Sequence, residues 1–163
     1  MREIPLTKGA VAVVDDEDFA VLSAFKWSVS SYGYAGRRVN RTTVYMHREI
    51  LKPEPGIWVD HINGDRLDNR RANLRRCNRR QNAGNSFKNK ADSASPHHSQ
   101  YKGVTRLNRE ERERNYWAAY CAGRYVGMYA TEIEAARAYD DAARKHFGEF
   151  ARLNFPNEGE QAA

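Results

Sequence analysis

Short apolar runs, separated by polar turn residues, mark the first half of the chain. The run at 10–14 predicts a strand, and the acidic residues after it open a short helix. β-forming residues then predict a small antiparallel meander, with strands at 27–29, 34–39 and 42–45. A short helix over 46–51 follows and ends before two prolines. This pattern is typical of a small α+β fold.

In the second half, the pattern predicts strands first and one longer helix after them. Thr131 and Glu134 fit a capping box at the start of this helix, and Gly148 fits its end. Alanines recur on one face of the helix, which would let it lie close to a sheet. The strands are predicted at 101–106, 115–121 and 124–129, joined by a loop over 108–114 and a tight turn at Ala122 and Gly123.

A polar, aperiodic stretch separates the halves and is typical of a linker. A chain of 163 residues has room for two small domains. We therefore predict a first domain over 1–90 with its core at about 57–88, a linker over 91–98, a second domain over 99–156 and a tail over 157–163.

Composition narrows the class of protein. The chain has 27 Lys and Arg against 21 Asp and Glu, a net charge of +6, which suits a nucleic-acid partner. No apolar run approaches the length of a membrane span, and no secretory signal opens the chain. Cys77 and Cys121 form no metal-binding pair. We expect a soluble intracellular protein without a membrane partner or a small-molecule cofactor.

The positive charge is concentrated in the first domain. Residues 1–90 carry 17 basic and 10 acidic side chains, whereas 91–163 carry 10 and 11. Within 66–90 there are nine basic side chains and one acid. Such a run is either a solvated face or a stripe that binds phosphates. In the second domain the basic excess lies on the strands rather than on the helix, which favours the sheet as the surface that meets a polyanion.

The most informative chemistry lies between 60 and 82. Asp60 and His61 follow an apolar strand, Asn73 comes twelve residues after His61, and Asn82 nine residues after Asn73. Asn78 can cap a helix that carries Asn82. A β-hairpin followed by a helix could bring Asp60, His61 and Asn82 together. Carboxylate and amide oxygens suit Mg²⁺ or Mn²⁺, and a neutral histidine can take a proton from water. This chemistry suits phosphodiester hydrolysis.

These residues resemble the signature of HNH endonucleases, with Asn82 in place of the last histidine. The wider strings at 45–48, 60–70 and 73–75 are similar to HNH proteins found in phages, many of them homing endonucleases. The resemblance covers about 1–90 and implies a ββα-metal site.

The resemblance also implies a role for each motif residue. His61 would be the general base, Asp60 and Asn82 would bind one divalent cation, Mg²⁺ or Mn²⁺, and Asn73 would order the loop between two strands. The zinc-stabilised variant of the family does not fit, because no cysteine pairs flank the motif. We interpret His47 as structural rather than catalytic.

A second resemblance covers 99–156. The strings at 101–104, 116–119, 126–129, 131–140 and 147–156 resemble an Apetala-two/ethylene-response-factor DNA-binding domain. This family lays a three-stranded antiparallel sheet into the major groove of DNA and packs one helix behind it. The resemblance therefore implies double-stranded DNA as partner. The specificity of the plant proteins does not transfer, because several of their base-reading arginines are replaced here.

Candidate DNA contacts come from both halves of the chain. In the first domain they are the basic residues on and near the predicted helix, and in the second they lie on the strands. They are Arg75, Arg76, Arg79, Arg80, Lys88, Lys102, Arg106, Arg124 and Tyr125.

The leading hypothesis is a two-domain, metal-dependent DNA endonuclease of the homing type, from a phage or a bacterial cytoplasm. A rival hypothesis is a non-catalytic, sequence-specific transcriptional regulator with a degenerate HNH fold. A third is a nuclease that acts on RNA or on branched nucleic acid. The target site, single- or double-strand cutting and the oligomeric state stay open.

Overall fold

A computed structural model describes residues 1–88, 99–107 and 116–157. The chain forms two compact units, Met1–Asn82 and Ala83–Ala163, which are described separately. The linker predicted at 91–98, the loop predicted at 108–114 and all but the first residue of the predicted tail lie outside the described residues.

The first unit is built from three small antiparallel sheets and short helices. The elements are β1 (Arg2–Pro5), β2 (Val11–Val14), α1 (Asp16–Leu22), β3 (Ser28–Val29), β4 (Ala35–Val39), β5 (Thr42–Tyr45), α2 (Met46–Leu51), β6 (Trp58–His61), β7 (Leu74–Cys77) and α3 (Arg79–Gly84), whose last two residues belong to the second unit. β1 pairs with β2, the meander has the order β3-β4-β5, and β6 pairs with β7.

One hydrophobic core joins these elements. Trp27 and Met46 are almost completely buried, and side chains from β1, β2, β6 and β7 pack with them. The N-terminal hairpin also holds the loop between β6 and β7, since the Val13 N–H donates to Leu67 O and the Asn69 N–H donates to Val13 O. Arg71 adds ion pairs with the start of α1, where its Nη2 lies 2.7 Å from Asp18 Oδ1.

The β6–β7 hairpin and α3 follow one another as a ββα arrangement. Trp58 lies opposite Cys77, and His61 lies opposite Leu74. α3 begins with a reciprocal cap, because the Gln81 N–H donates to Asn78 Oδ1 at 2.9 Å and the Asn78 N–H donates to Gln81 Oε1 at 2.8 Å. The predicted cap at Asn78 is therefore confirmed.

The second unit contains a three-stranded antiparallel sheet in the order β10-β9-β8 and one long helix. Ala122 and Gly123 both have positive φ, as a tight hairpin turn requires, and they join β9 to β10. Its elements are β8 (Val104–Leu107), β9 (Tyr116–Cys121), β10 (Arg124–Tyr129) and α4 (Glu132–Phe147).

α4 lies against this sheet through small side chains. Ala135, Ala136 and Ala143 are fully buried in a cluster with Ala119 of β9. The predicted capping box is confirmed, because Thr131 and Glu134 each accept a backbone N–H of the other. Gly103 has a φ of 74°, and the Tyr139 ring packs so closely on it that a Cβ would collide with the ring.

A buried carboxylate fixes the chain that follows α4. Asp140 is 2% exposed and accepts the N–H groups of Asn154 and Phe155, each at 2.8 Å. The Asn154 side chain in turn accepts the Lys102 N–H at 2.7 Å, which ties the segment before β8 to the helix. Asp140 therefore has a structural role in this unit.

The predicted combination of helices with several small sheets is confirmed. β1 was not predicted, because its four residues carry little periodicity and depend on β2 for their backbone partners. Among the helices in the described parts of the chain, none is long and apolar enough to cross a membrane.

Candidate functional site

Asp60 and His61 end strand β6, and both side chains are nearly inaccessible to solvent. Asp60 is 6% exposed and His61 is 4% exposed. The antiparallel register with β7 fixes their backbone, since Asp60 lies opposite Arg75 and His61 opposite Leu74. Their immediate neighbours differ, since Asp60 pairs with Arg75 and His61 lies among aromatic rings.

His61 lies in a cluster of aromatic rings. Its ring centroid is 5.1 Å from that of His47 and 5.6 Å from that of Tyr34. Burial lowers the pKa of His61 below its usual value, although the Asn69 side chain and the carboxylates of Asp60, Asp65 and Asp68 act in the opposite direction. His61 is therefore neutral at pH 7 and able to accept a proton.

Asp60 forms an ion pair with Arg75 across the hairpin. Arg75 Nε donates to Asp60 Oδ2 at 2.9 Å, and Nη2 of the same arginine lies 2.8 Å from that oxygen. The Arg75 side chain is only 15% exposed. The Asp60 carboxylate is thus held in place by Arg75, a guanidinium that the sequence predicts as a DNA contact.

Asn73 bridges the two ends of the loop between β6 and β7. Its Oδ1 accepts the Asn63 N–H at 2.9 Å, and its Nδ2 donates to Asp68 O at 2.8 Å. Asn63 and Asp65 make side-chain turns within the same loop. These bonds fix the backbone that immediately follows His61.

Asn82 lies on α3 and lines a cavity of about 350 Å³ in the first unit. The cavity wall also contains His47, whose ring contacts His61. Asn82 therefore lies in the wall of the cavity, and His61 contacts another residue of the same wall, His47. The aromatic, basic and amide side chains of the wall are those of Tyr34, Tyr45, His47, Arg48, Trp58 and Asn82.

Asp60 and Asn82 each carry an oxygen donor of the kind that Mg²⁺ takes from proteins. Mg²⁺ is commonly held by one or two protein oxygens, with water and substrate phosphates completing its shell. Among the described residues, no three His, Cys, Asp or Glu side chains come together as a ligand group.

The basic candidates of the first half differ in exposure. Arg76, Arg79 and Arg80 are exposed on and before α3, whereas Lys88 is half-buried. Arg76 Nη2 also donates to Leu51 O at 2.6 Å. Arg79 and Arg80 thus have the accessibility that a phosphate contact requires, and Arg75 does not.

The candidates in the second unit also fall into two groups. Arg124 and Tyr125 are exposed on β10, and Arg106 on β8 is half-buried. Lys102 instead turns inward, where its Nζ donates to Gly84 O at 2.7 Å. Burial and the nearby Arg152 lower the pKa of Lys102 to about 8. Lys102 therefore acts as an internal hydrogen-bond donor in this structure.

Three features of the site were not identified from the sequence. The Asp60–Arg75 pair follows from the hairpin register. Counting the same number of residues outward from the loop along each strand would have placed these two residues opposite each other. The proximity of His47 to His61 and the aromatic wall of the cavity depend on how α2 and the meander fold back. No local signal indicates that packing.

Comparison with known proteins identifies the family of the chain. Residues 52–84, which include β6, β7 and α3, match the model of an HNH endonuclease family. An uncharacterized HNH endonuclease of Acanthamoeba polyphaga mimivirus is 32% identical over 156 residues, covering 90% of this chain and 76% of that protein. No solved structure matches the chain at a significant level. The chain therefore belongs to the HNH endonuclease family.

Proposed function

We propose that this protein is a metal-dependent DNA endonuclease of the homing type, which hydrolyses phosphodiester bonds. The observation that carries the proposal is the neutral, buried His61 beside Asp60 at the end of β6, connected through His47 to the cavity that Asn82 lines. A general base that activates water and oxygen donors for a divalent cation are groups that metal-assisted hydrolysis uses.

Each residue of the motif has a distinct task in this proposal. His61 takes the proton of the attacking water, and its lowered pKa keeps it ready to do so near neutral pH. Asp60 and Asn82 would hold the divalent cation. When bound, the cation stabilises negative charge on the phosphate and the leaving oxygen. Asn73 fixes the loop after His61, and Arg79 and Arg80 attract the phosphates of the substrate.

The second unit is proposed to bind double-stranded DNA through its sheet, as an Apetala-two/ethylene-response-factor-like domain would. The exposed face of β9 and β10 supports this role. Tyr120 and Tyr125 form an edge-to-face pair with centroids 5.7 Å apart, and both side chains are exposed. Arg124 is exposed next to Tyr125, and a basic and aromatic face of this kind suits the major groove.

Plasmid cleavage in Mg²⁺ or Mn²⁺ tests the proposed activity. The wild type should cut, whereas His61→Ala and Asp60→Ala should lose most of the activity. Asp16→Ala is a matched control, because Asp16 is an exposed carboxylate that pairs with the N-terminal amine. DNA affinity measured in EDTA should be nearly unchanged in His61→Ala. Equal cutting by all four proteins would show that the site is assigned to the wrong residues.

The alternative of a non-catalytic DNA-binding regulator has one observation in its favour. Arg75 binds the carboxylate of Asp60, which is one of the two proposed cation ligands. A guanidinium and a cation compete for the same oxygen. Tight, sequence-selective DNA binding without cleavage of any duplex, branched DNA or RNA would identify the protein as such a regulator.

A further inference from the structure

The cavity beside His61 has a wall of aromatic rings. Tyr34, Tyr45 and Trp58 line it, and Trp58 is 46% exposed. Its volume of about 350 Å³ is at the small end of the range of ligand sites, roughly 300–1,000 Å³. The cavity therefore admits one planar ring system and excludes a duplex.

His47 is a buried polar group in the same wall. It is 6% exposed, and no atom of the described residues forms a hydrogen bond with its Nδ1. Its contacts are with rings, namely Tyr34 at 5.0 Å, Tyr45 at 5.6 Å and His61 at 5.1 Å between centroids. Most buried polar groups have a partner, so an imidazole in this position calls for an explanation.

We propose that the cavity receives one unstacked nucleobase of the nucleic-acid substrate, from a nucleotide next to the phosphate that is cleaved. The base would stack on the aromatic wall, and its edge would lie against the His47 ring that lines the cavity. This inference rests on the proposed nuclease function, and it adds a site that the cleavage chemistry itself does not need.

Position and charge favour a substrate base over a free aromatic molecule. Asn82, a proposed cation ligand, lines the cavity, and His61 contacts two rings of its wall. A base held there would be joined through its sugar to a phosphate close to both residues. Arg48 adds a positive charge to the wall, with its Nη1 donating to Ile57 O at 3.0 Å. A free ligand would gain nothing from this proximity to the cleavage site.

Photo-crosslinking in EDTA tests the site without any cleavage. The probe is a single-stranded oligothymidylate with one 5-iodouracil, which offers an unstacked base whatever the target sequence is. We expect a crosslink to Tyr34, Tyr45, His47 or Trp58, located by peptide mass spectrometry. Trp58→Ala should reduce this crosslink at least fivefold. Tyr32→Ala is the matched control, because Tyr32 is 68% exposed in the same unit and does not line the cavity.

Three results would overturn the assignment of a base site. The first is a crosslink pattern confined to the exposed arginines. The second is an equal loss of the crosslink in Trp58→Ala and Tyr32→Ala. The third is competition by thymidine monophosphate at the same concentration as the oligonucleotide, since that would identify a site for free nucleotides.

Cleavage kinetics separate this inference from the function on which it rests. On a duplex that the wild type cuts, Trp58→Ala should raise KM about 5- to 150-fold, the range that corresponds to about 1–3 kcal/mol of base–aromatic stacking. Cleavage without any crosslink in the cavity would refute the base site and leave the nuclease intact. A cavity crosslink without cleavage of any substrate would refute the nuclease and retain a base-binding site.

Discussion

Acid should destabilise the first unit through His47, and replacing His47 by leucine should remove much of that sensitivity. Burial, with the charges of His61 and Arg48 nearby, lowers the pKa of His47 from 6.5 to about 3. The unfolded chain therefore binds a proton at His47 below about pH 6.5, and the folded chain does not. A lowered pKa of this kind makes stability fall as the pH falls from 6.5 towards 3.

The size of the effect follows from the two pKa values. Between about pH 7.5 and about pH 5, linkage gives a loss of about 2 kcal/mol in the free energy of unfolding of the wild type. His47→Leu should lose about 2 kcal/mol less over the same range. The lowered pKa of His61 acts in the same direction in both proteins, so the difference between them reports on His47 and on its coupling to His61. Near pH 7.5 the variant should match or exceed the wild type, because an unpartnered buried nitrogen has been removed.

Hydrogen exchange followed by mass spectrometry measures this loss separately in each unit. After correction for the intrinsic exchange rate, about 2 kcal/mol corresponds to roughly 30-fold more opening of α2 and β4 at the lower pH in the wild type. Peptides from α4 provide an internal control in both proteins. If wild type and His47→Leu lose protection in parallel between the two pH values, His47 is not held neutral by burial and the reasoning is wrong.

Other variants test the remaining structural assignments. Asn73→Ala should cost about 1–3 kcal/mol in urea denaturation, because the Asn63 N–H and Asp68 O lose their partner; a change below the error of the measurement would contradict this. Thr131→Ala should cost about 1 kcal/mol in the second unit by loss of the capping box, measured by the same titration. Arg124→Ala should weaken DNA binding and lower the slope of log affinity against log salt by about 1, whereas Lys102→Met should leave that slope unchanged.

Local signals in the sequence were sufficient for the elements that depend on neighbouring residues. The caps at Asn78 and Thr131 are short-range hydrogen bonds between residues three apart, so their residue types identify them. The turn at Ala122 and Gly123 is local in the same way. The order of strands and helix around Asp60 and His61 followed from the motif, because the spacing between its members is fixed by the hairpin and α3.

Contacts between distant residues could not be predicted from such signals. Arg75 was assigned to DNA with the other arginines of its run, since composition does not reveal which of them faces a carboxylate across a hairpin. Lys102 matched a DNA-contacting position, yet its amine reaches Gly84, eighteen residues earlier in the chain. His47 was interpreted as structural, and its place beside His61 depends on the packing of α2 on the meander.

The N-terminal hairpin forms hydrogen bonds with the loop after His61, and this contact limits how the HNH motif can be transferred to another protein. Two backbone hydrogen bonds join Val13 to the loop at Leu67 and Asn69, and Asp18 anchors Arg71. The stretch that matches the family, 52–84, contains none of these N-terminal partners. Transfer of 52–84 alone would leave the loop without its contacts to Val13 and Asp18. The smallest segment that keeps these contacts and the whole hairpin therefore begins at β1. Recombination that preserves activity should accordingly break the chain outside Met1–Asn82.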